Sequence, residues 1–161
     1  MLSNFKKNVY SQNGEDGILQ ELLRKINLEK NGWCCEFGAW DGKNGSNTFN
    51  LVKNFNFNAI YIENDEKKFK DLKKTAKEYP KILAINKTIE RYTHSNNSLT
   101  KVLEQTKIPI DFEVLSIDID SYDLDVWETL EKYCPKIVVI EVNSSIKPGI
   151  IQRHNENNQG N

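Results

Sequence analysis

The sequence predicts an α/β domain in which a parallel β-sheet carries helices on both faces. Short apolar segments alternate with helical segments along most of the chain. The apolar segments, such as "GWCCEF" and "NAIYIE", are hydrophobic almost throughout, as is typical of strands buried on both faces. A chain of 161 residues, 38% of them hydrophobic, is long enough for one domain with a substantial core.

The first 30 residues are predicted to be an N-terminal helical segment. In "SQNGEDGILQELLRKIN" (residues 11–27), Asn13 and Asp16 are spaced as an N-cap arrangement, and apolar residues then recur at helical spacing. The first strand, "GWCCEF", comes next. A loop with several glycines then leads to the helix "SNTFNLVKNF", for which Ser46 is the expected N-cap.

The rest of the chain repeats the alternation of strand and helix. "NAIYIE" predicts the second strand and "NDEKKFKDLKKTAKEY" a helix with Phe69, Leu72 and Ala76 on one face, ended by Pro80. "KILAIN", "SLTKVLEQT", "DFEVLSIDID", "DLDVWETLEKY" and "KIVVIEV" then predict strand, helix, strand, helix and strand. We therefore expect a single Rossmann-like domain over residues 1–161, in which residues 144–161 form a polar tail.

Composition argues against several classes of partner. A formal net charge of −1 provides no basic surface for nucleic acid or an anionic membrane. The apolar runs are too short to span a bilayer, and the N-terminus lacks the apolar core of a signal peptide. Cys34 and Cys35 are adjacent and Cys134 stands alone, so we expect reduced thiols in a cytoplasmic protein.

An acid or an amide stands near the carboxyl end of each of the five predicted strands. Ligands of open parallel sheets bind at those ends, so we expect the site there. With the glycines of the first loop, the residues are Glu36, Gly38, Asp41, Gly42, Glu63, Asn86, Asp118, Asp120, Glu141 and Asn143.

The loop "CEFGAWDG" favours a cationic ligand over a phosphate. Glu36 and Asp41 would repel a pyrophosphate, but they would attract an amine and a sulfonium, as in S-adenosylmethionine. Gly38 would let the backbone approach such a cofactor. Glu63 stands where a carboxylate accepts hydrogen bonds from ribose hydroxyls, and it could bind the ribose of NAD in the same way. Two features disfavour an NAD-dependent oxidoreductase: the loop lacks the third glycine of the dinucleotide-binding pattern, and it carries the acid Asp41.

Five pieces of sequence occur in an order that resembles a known family: "YSQNGEDGIL", "CEFGAWDGKNGSNT", "YIENDE", "LSIDIDSYDLDVW" and "VVIEVN". They resemble the FkbM-like, S-adenosylmethionine-dependent methyltransferases of the class I Rossmann-like type. The resemblance implies O-methylation of a sugar or other small hydroxyl acceptor, in surface polysaccharides or natural products. Family members continue with a further helix and an antiparallel strand pair. We therefore expect either a fragment or a short form whose last strands are absent, and the exposed sheet edge would favour a homo-oligomer or partial instability.

The resemblance also implies roles for individual residues. Glu36, Gly38, Asp41 and Gly42 would line the methionine end of the cofactor, and Glu63 would hold the ribose. Residues that would complete the cofactor site are Gln12, Ser46, Asn47, Asn86 and Asp118. Gln12 belongs to the "SQ-x-G-E-D" piece, which in the family packs over the cofactor loop; the alternative is that this piece only caps the first helix.

The motif "DIDSYD" is expected to lie beside the transferred methyl group. Asp-x-Asp also occurs in haloacid-dehalogenase phosphatases and glycosyltransferases, but the order of elements fits neither. We expect Asp118 and Asp120 to be catalytic, with Asp120 as the general base. Asp120, Glu141 and Asn143 could also hold Mg²⁺ or another divalent cation. One alternative is that Asp118 accepts hydrogen bonds from backbone groups while Asp120 and Asp123 cap the next helix. Another is that the chain is a truncated, non-catalytic domain that binds a cofactor or a partner.

Overall fold

A five-stranded, all-parallel sheet forms the centre of the fold. The computed structural model describes residues 1–119, 122–142, 145, 147 and 149–150. Asp120, Asn143 and most of the predicted polar tail lie outside these residues. After a short 3-10 helix (Leu2–Phe5), the elements in chain order are α1 (Glu15–Lys25), β1 (Trp33–Phe37), α2 (Phe49–Phe55), β2 (Asn58–Glu63), α3 (Glu66–Glu78), β3 (Ile82–Asn86), α4 (Leu99–Leu103), β4 (Val114–Ile117), α5 (Asp123–Glu128) and β5 (Ile137–Ile140).

The strand order is β3-β2-β1-β4-β5, which places the first strand in the middle. The chain builds outward from β1 to β3 and then crosses back to β4 on the other side of β1. Phe37, at the end of β1, is therefore in register with Ile62 of β2 on one side and Ile117 of β4 on the other. Such a reversal leaves a crevice at the carboxyl ends of the strands. The predicted α/β fold is confirmed.

The core lies on both faces of the sheet. Neighbouring strand residues point to opposite faces, so Cys34 packs with α1, α2 and α3 while Cys35 packs with α4 and α5. Both thiols are free and buried, and burial raises their pKa, as expected of inert core cysteines. Leu72 of the predicted apolar face of α3 is fully buried. In the described part of the chain, no helix is both long and apolar enough to cross a bilayer.

The start of α1 differs from the prediction. The N-cap of α1 is Gly14, with φ +102°, and the Asn13 side chain does not cap the helix. Instead, Asp16 is buried and turns back toward the preceding chain. Its Oδ2 accepts hydrogen bonds from the backbone N–H groups of Val9, Tyr10 and Ser11, each at 2.8 Å. A carboxylate that satisfies three backbone donors of an incoming segment is better placed there than at a helix end.

Candidate functional site

A cleft of about 580 Å³ opens at the carboxyl ends of β1, β2 and β4. Its volume lies in the range typical of small-molecule sites. The loop after β1 forms its floor, and the loops after β2, β3 and β4 supply the walls. The charged residues that line it are Glu36, Glu63, Asp118, Glu141, Lys68 and Lys87. The cleft therefore combines carboxylates at the ends of β1, β2, β4 and β5 with one lysine from α3 and one that follows β3.

Most of the predicted site residues meet in this cleft. Those that line it are Gln12, Glu36, Gly38, Ser46, Glu63, Asp118 and Glu141. Four others lie in the surrounding structure and are absent from the lining: Asp41, Gly42, Asn47 and Asn86. A ligand contact from these four, or from Asp120 and Asn143 beyond the described residues, stays a prediction.

Glu36 anchors the loop that follows β1. Its carboxylate is buried and accepts hydrogen bonds from the hydroxyls of Ser46 and Thr48 and from the backbone N–H groups of Asn47 and Thr48. Burial raises the pKa of Glu36, and the hydrogen bonds from Thr48, Ser46 and the backbone oppose this rise. The Thr48 hydroxyl has one proton, which it donates to Glu36, so the Tyr61 hydroxyl donates to Thr48 Oγ1 at 2.9 Å. Glu36 therefore fixes the loop shape while lining the cleft.

Gly38 is required by its contact with the next loop. Its φ is +75°, and a Cβ at this position would lie 1.8 Å from the carbonyl oxygen of Asp118. No side chain fits such a gap, because real Cβ atoms do not approach a backbone oxygen so closely. Gly38 thus brings the loops after β1 and β4 together at the floor of the cleft.

Glu63 ends β2 as a buried carboxylate at the cleft wall. Its Oε2 accepts a hydrogen bond from the backbone N–H of Trp40, and its Oε1 accepts one from the backbone N–H of Asp65, both at 2.8 Å. A carboxylate oxygen has two lone pairs. Each oxygen of Glu63 therefore has a second lone pair with which it can accept another donor.

The four predicted residues outside the lining stabilise the walls. Asp41 accepts from the N–H groups of Lys43 and Asn44, which closes a local turn. Gly42 packs on Leu72 and Tyr61. Two side-chain amides link neighbouring elements. The Asn47 amide donates to Ser116 Oγ of β4 at 3.1 Å, and the Asn86 amide at the end of β3 donates to the carbonyl of Glu63 at 2.7 Å.

The segment before α1 packs against the loop after β1. Asp16 and Ser11 hold each other, because the Ser11 N–H donates to Asp16 Oδ2 and the Asp16 N–H donates to Ser11 Oγ at 3.1 Å. This arrangement places Gln12 against Gly45, where an added Cβ would lie 3.0 Å from Gln12 Nε2. The "SQ-x-G-E-D" piece therefore shapes both the cleft and the helix start.

The opposite end of the cleft is bounded by the loop after β4 and the end of β5. Asp118, Tyr122 and Glu141 line it. The Arg91 guanidinium lies 4.5 Å from the centre of the Tyr122 ring and 3.8 Å from Asp125. A cation at this distance over an aromatic face favours a fixed ring position. The loop that contains Arg91 is thus joined to α5 across this end of the cleft.

Sequence reasoning missed the residues that line the β3 end of the cleft. These are Asn64, Lys68, Lys87, Thr88 and Ile89. Lys68 belongs to a helix whose lysines the sequence pattern assigned to a solvated face. The one available signal was position, because the residues from Lys87 onward directly follow the carboxyl end of β3.

The described residues do not support the predicted divalent cation. No group of three or more His, Cys, Asp or Glu side chains suited to a metal occurs among them. Glu141 is exposed, and the other two predicted ligands, Asp120 and Asn143, fall outside the described ranges.

Comparison with known proteins identifies the fold. Neither a protein-family model nor a curated protein matches the chain. Among solved structures, it is similar to the CurJ carbon methyltransferase at 11% identity and a TM-score of 0.53, over 78% of this chain and 32% of that one. It is also similar to precorrin-6y C5,15-methyltransferase from Geobacter metallireducens GS-15 at 10% identity and a TM-score of 0.53, over 87% and 69%. The fold is that of Rossmann-like methyltransferases.

This likeness confirms the predicted architecture at the level of fold. The chain spans less than a third of the length of the CurJ structure. The FkbM-like relationship stays a prediction.

Proposed function

We propose that the chain binds S-adenosylmethionine in this cleft and transfers the methyl group to a hydroxyl of a sugar or other small acceptor. The observation that carries the proposal is the Glu63 carboxylate, which is buried at the end of β2 and accepts one backbone N–H on each oxygen from the described residues, so that each oxygen keeps a second lone pair for a ligand. A ribose diol fits that arrangement. The fold supports the same class, since both structures described above bear the name of methyltransferases.

The distribution of charge supports one orientation of the cofactor. With the ribose at Glu63, the base would lie toward Lys87, Thr88 and Ile89. The methionine part would lie along the loop after β1. Among the described residues, Glu36 Oε1 accepts one hydrogen bond, from the backbone N–H of Asn47, and its second lone pair could accept from an ammonium group. The sulfonium would then face the acidic end of the cleft, where opposite charge favours it.

The bound cofactor would supply an electrophilic methyl group. The chain itself contributes position: the contact of Gly38 with the Asp118 carbonyl fixes the loops on both sides of the reacting centre. Asp118 and Glu141 can accept a hydrogen bond from an acceptor hydroxyl and orient its oxygen. Such positioning accounts for much of the rate of a group transfer between two bound molecules.

Three finer points of the proposal rest on sequence alone. They stay predictions: Asp120 as the general base, a carbohydrate as the acceptor, and a divalent cation bound by Asp120, Glu141 and Asn143. The cation has a direct test, since a chelator would abolish transfer if the ion were needed and Mg²⁺ would restore it. Cytoplasmic location and a homo-oligomer also stay predictions.

Two alternative functions follow from the same site. A non-catalytic domain would bind the cofactor or a partner without transferring a methyl group. An NAD-dependent oxidoreductase would also use the Glu63 carboxylate for a ribose. It would place a pyrophosphate beside the Glu36 carboxylate, however, and like charge would repel it there.

Calorimetry with S-adenosylhomocysteine and NAD tests the proposal. We expect S-adenosylhomocysteine to bind and excess NAD to leave its affinity unchanged. Incubation with methyl-labelled S-adenosylmethionine and a set of sugar acceptors should then yield labelled product. A folded sample that binds no S-adenosylhomocysteine contradicts the proposal. Displacement by NAD supports the oxidoreductase, and binding without product from any acceptor supports the non-catalytic domain.

A further inference from the structure

The loop after β1 has an unusual residue at its centre. Positions 38, 40 and 42 all have left-handed backbone conformations, with φ of +75°, +48° and +74°. Two of them are glycine, which adopts this conformation without strain, but the middle one is Trp40. A bulky residue persists in such a conformation when its surroundings or its function require it. Glycine would serve the backbone here, so the indole itself needs an explanation.

The structure places this indole beside the proposed ribose site. The backbone N–H of Trp40 donates to Glu63 Oε2 at 2.8 Å, so the residue that carries the indole is joined to the carboxylate that would accept the ribose. Trp40 is among the residues that line the cleft, and it is 49% exposed. Lys68 Nζ lies 5.9 Å from the centre of a ring of the indole, and Lys68 lines the cleft as well. A large aromatic surface therefore faces the cleft where a nucleoside would enter.

We propose that the Trp40 indole packs against the nucleoside half of the bound ligand and forms the outer wall of that half of the cleft. The inference rests on the proposed function. Tryptophan supplies a large, rigid contact area at a low entropic cost, and every purine offers an aromatic face or edge to it. The Lys68 ammonium steadies the ring through a cation–π contact before the ligand arrives. Trp40 thereby selects for a nucleoside-bearing ligand.

The affinities of two ligands separate this contact from the rest of the site. S-adenosylhomocysteine carries both halves of the cofactor, and 5′-methylthioadenosine carries the nucleoside half with no amino acid. By calorimetry, Trp40→Ala should raise the Kd for both ligands by roughly tenfold, the scale of one lost aromatic stacking contact. Trp40→Phe should keep most of the affinity. Trp127→Ala is the matched control, because Trp127 is exposed on α5 and is absent from the cleft lining.

Trp40→Gly distinguishes the effect of losing the indole from the effect of backbone strain at this position. Glycine suits φ +48°, so this variant should unfold at a higher temperature than Trp40→Ala. Its affinity should nevertheless be as weak as that of Trp40→Ala, because both lack the indole. Wild-type affinity in the glycine or alanine variant overturns the inference while the proposed function stands. A folded wild-type protein that binds neither ligand overturns the proposed function itself.

Discussion

Gly38→Ala tests the contact that brings the two central loops together. The new Cβ would lie 1.8 Å from the Asp118 carbonyl oxygen, whereas ordinary contact begins at 3.4 Å, so the loops must separate by about 1.6 Å. The left-handed backbone costs an alanine about 1 kcal/mol, and forced separation of packed groups costs about 2 kcal/mol more. We expect a loss of about 3 kcal/mol in unfolding free energy, or about 6–12 °C in Tm for a chain of this size.

Urea unfolding followed by circular dichroism measures this loss. Gly149→Ala is the matched control, because Gly149 has φ +89° and an added Cβ there meets nothing within 4 Å. It should lose only about 1 kcal/mol or less, from the backbone term alone. Equal losses in the two variants would show that the Asp118 contact contributes nothing, and would refute the reasoning.

Three further predictions concern stability. Asp16→Ala leaves three backbone N–H groups without their acceptor and should cost about 3 kcal/mol of unfolding free energy. Glu15→Ala is the control, because it loses one exposed acceptor and should cost about 0.5 kcal/mol. Similar urea midpoints for the two variants would contradict this prediction. Burial raises the pKa of Glu36 above its ordinary value of 4.5, so the native state holds that proton more tightly than the unfolded state. The wild type should therefore lose stability relative to Glu36→Gln as pH rises above 4.5 through the raised pKa, and a difference independent of pH would exclude the effect. Leu72→Ala removes a fully buried side chain from α3 and should cost about 3 kcal/mol by thermal unfolding, well above Ile26→Ala at a half-exposed position, and equal costs would place Leu72 outside the core.

The strands were predictable because each buried strand is a short, continuous apolar run. β2 has the predicted bounds, Asn58–Glu63. β4 was predicted over residues 111–120 but pairs only over Val114–Ile117. Its start follows Glu113, whose side chain accepts from the N–H of Trp33, and its end precedes Asp118, whose carbonyl touches Gly38. Such limits come from residues distant in sequence, so hydrophobic pattern alone does not contain them.

Within the site, the sequence predicted positions better than roles. Gly38 was expected to admit a ligand, yet the steric demand on it comes from Asp118. Asp41 was expected to face the ligand; its oxygens close a turn with the backbone of Lys43 and Asn44, and a ligand contact from it stays a prediction. An aspartate beside a glycine suits both a turn and a ligand, and sequence does not distinguish the two.

Lys68 shows why the β3 end of the cleft escaped prediction. Helical periodicity places Lys68 on a polar face, and periodicity carries no information on what that face meets. The sheet order brings the start of α3 beside the loop after β1, so that Lys68 reaches the Trp40 ring. Only the assembled fold brings these two residues together.

The contact between Glu63 and a ribose is the central claim, and a double cycle of protein and ligand changes measures it most directly. Wild-type protein and Glu63→Gln would each be titrated by calorimetry with S-adenosylhomocysteine and with its 2′-deoxy analogue. A hydrogen bond to a carboxylate contributes about 1.5–3 kcal/mol, so the wild type should prefer the ribose form by roughly 10- to 150-fold. In Glu63→Gln that preference should fall to within about threefold, whatever the variant's own stability, because each ratio compares two ligands on one protein. An equal preference in both proteins would contradict a ribose site at Glu63.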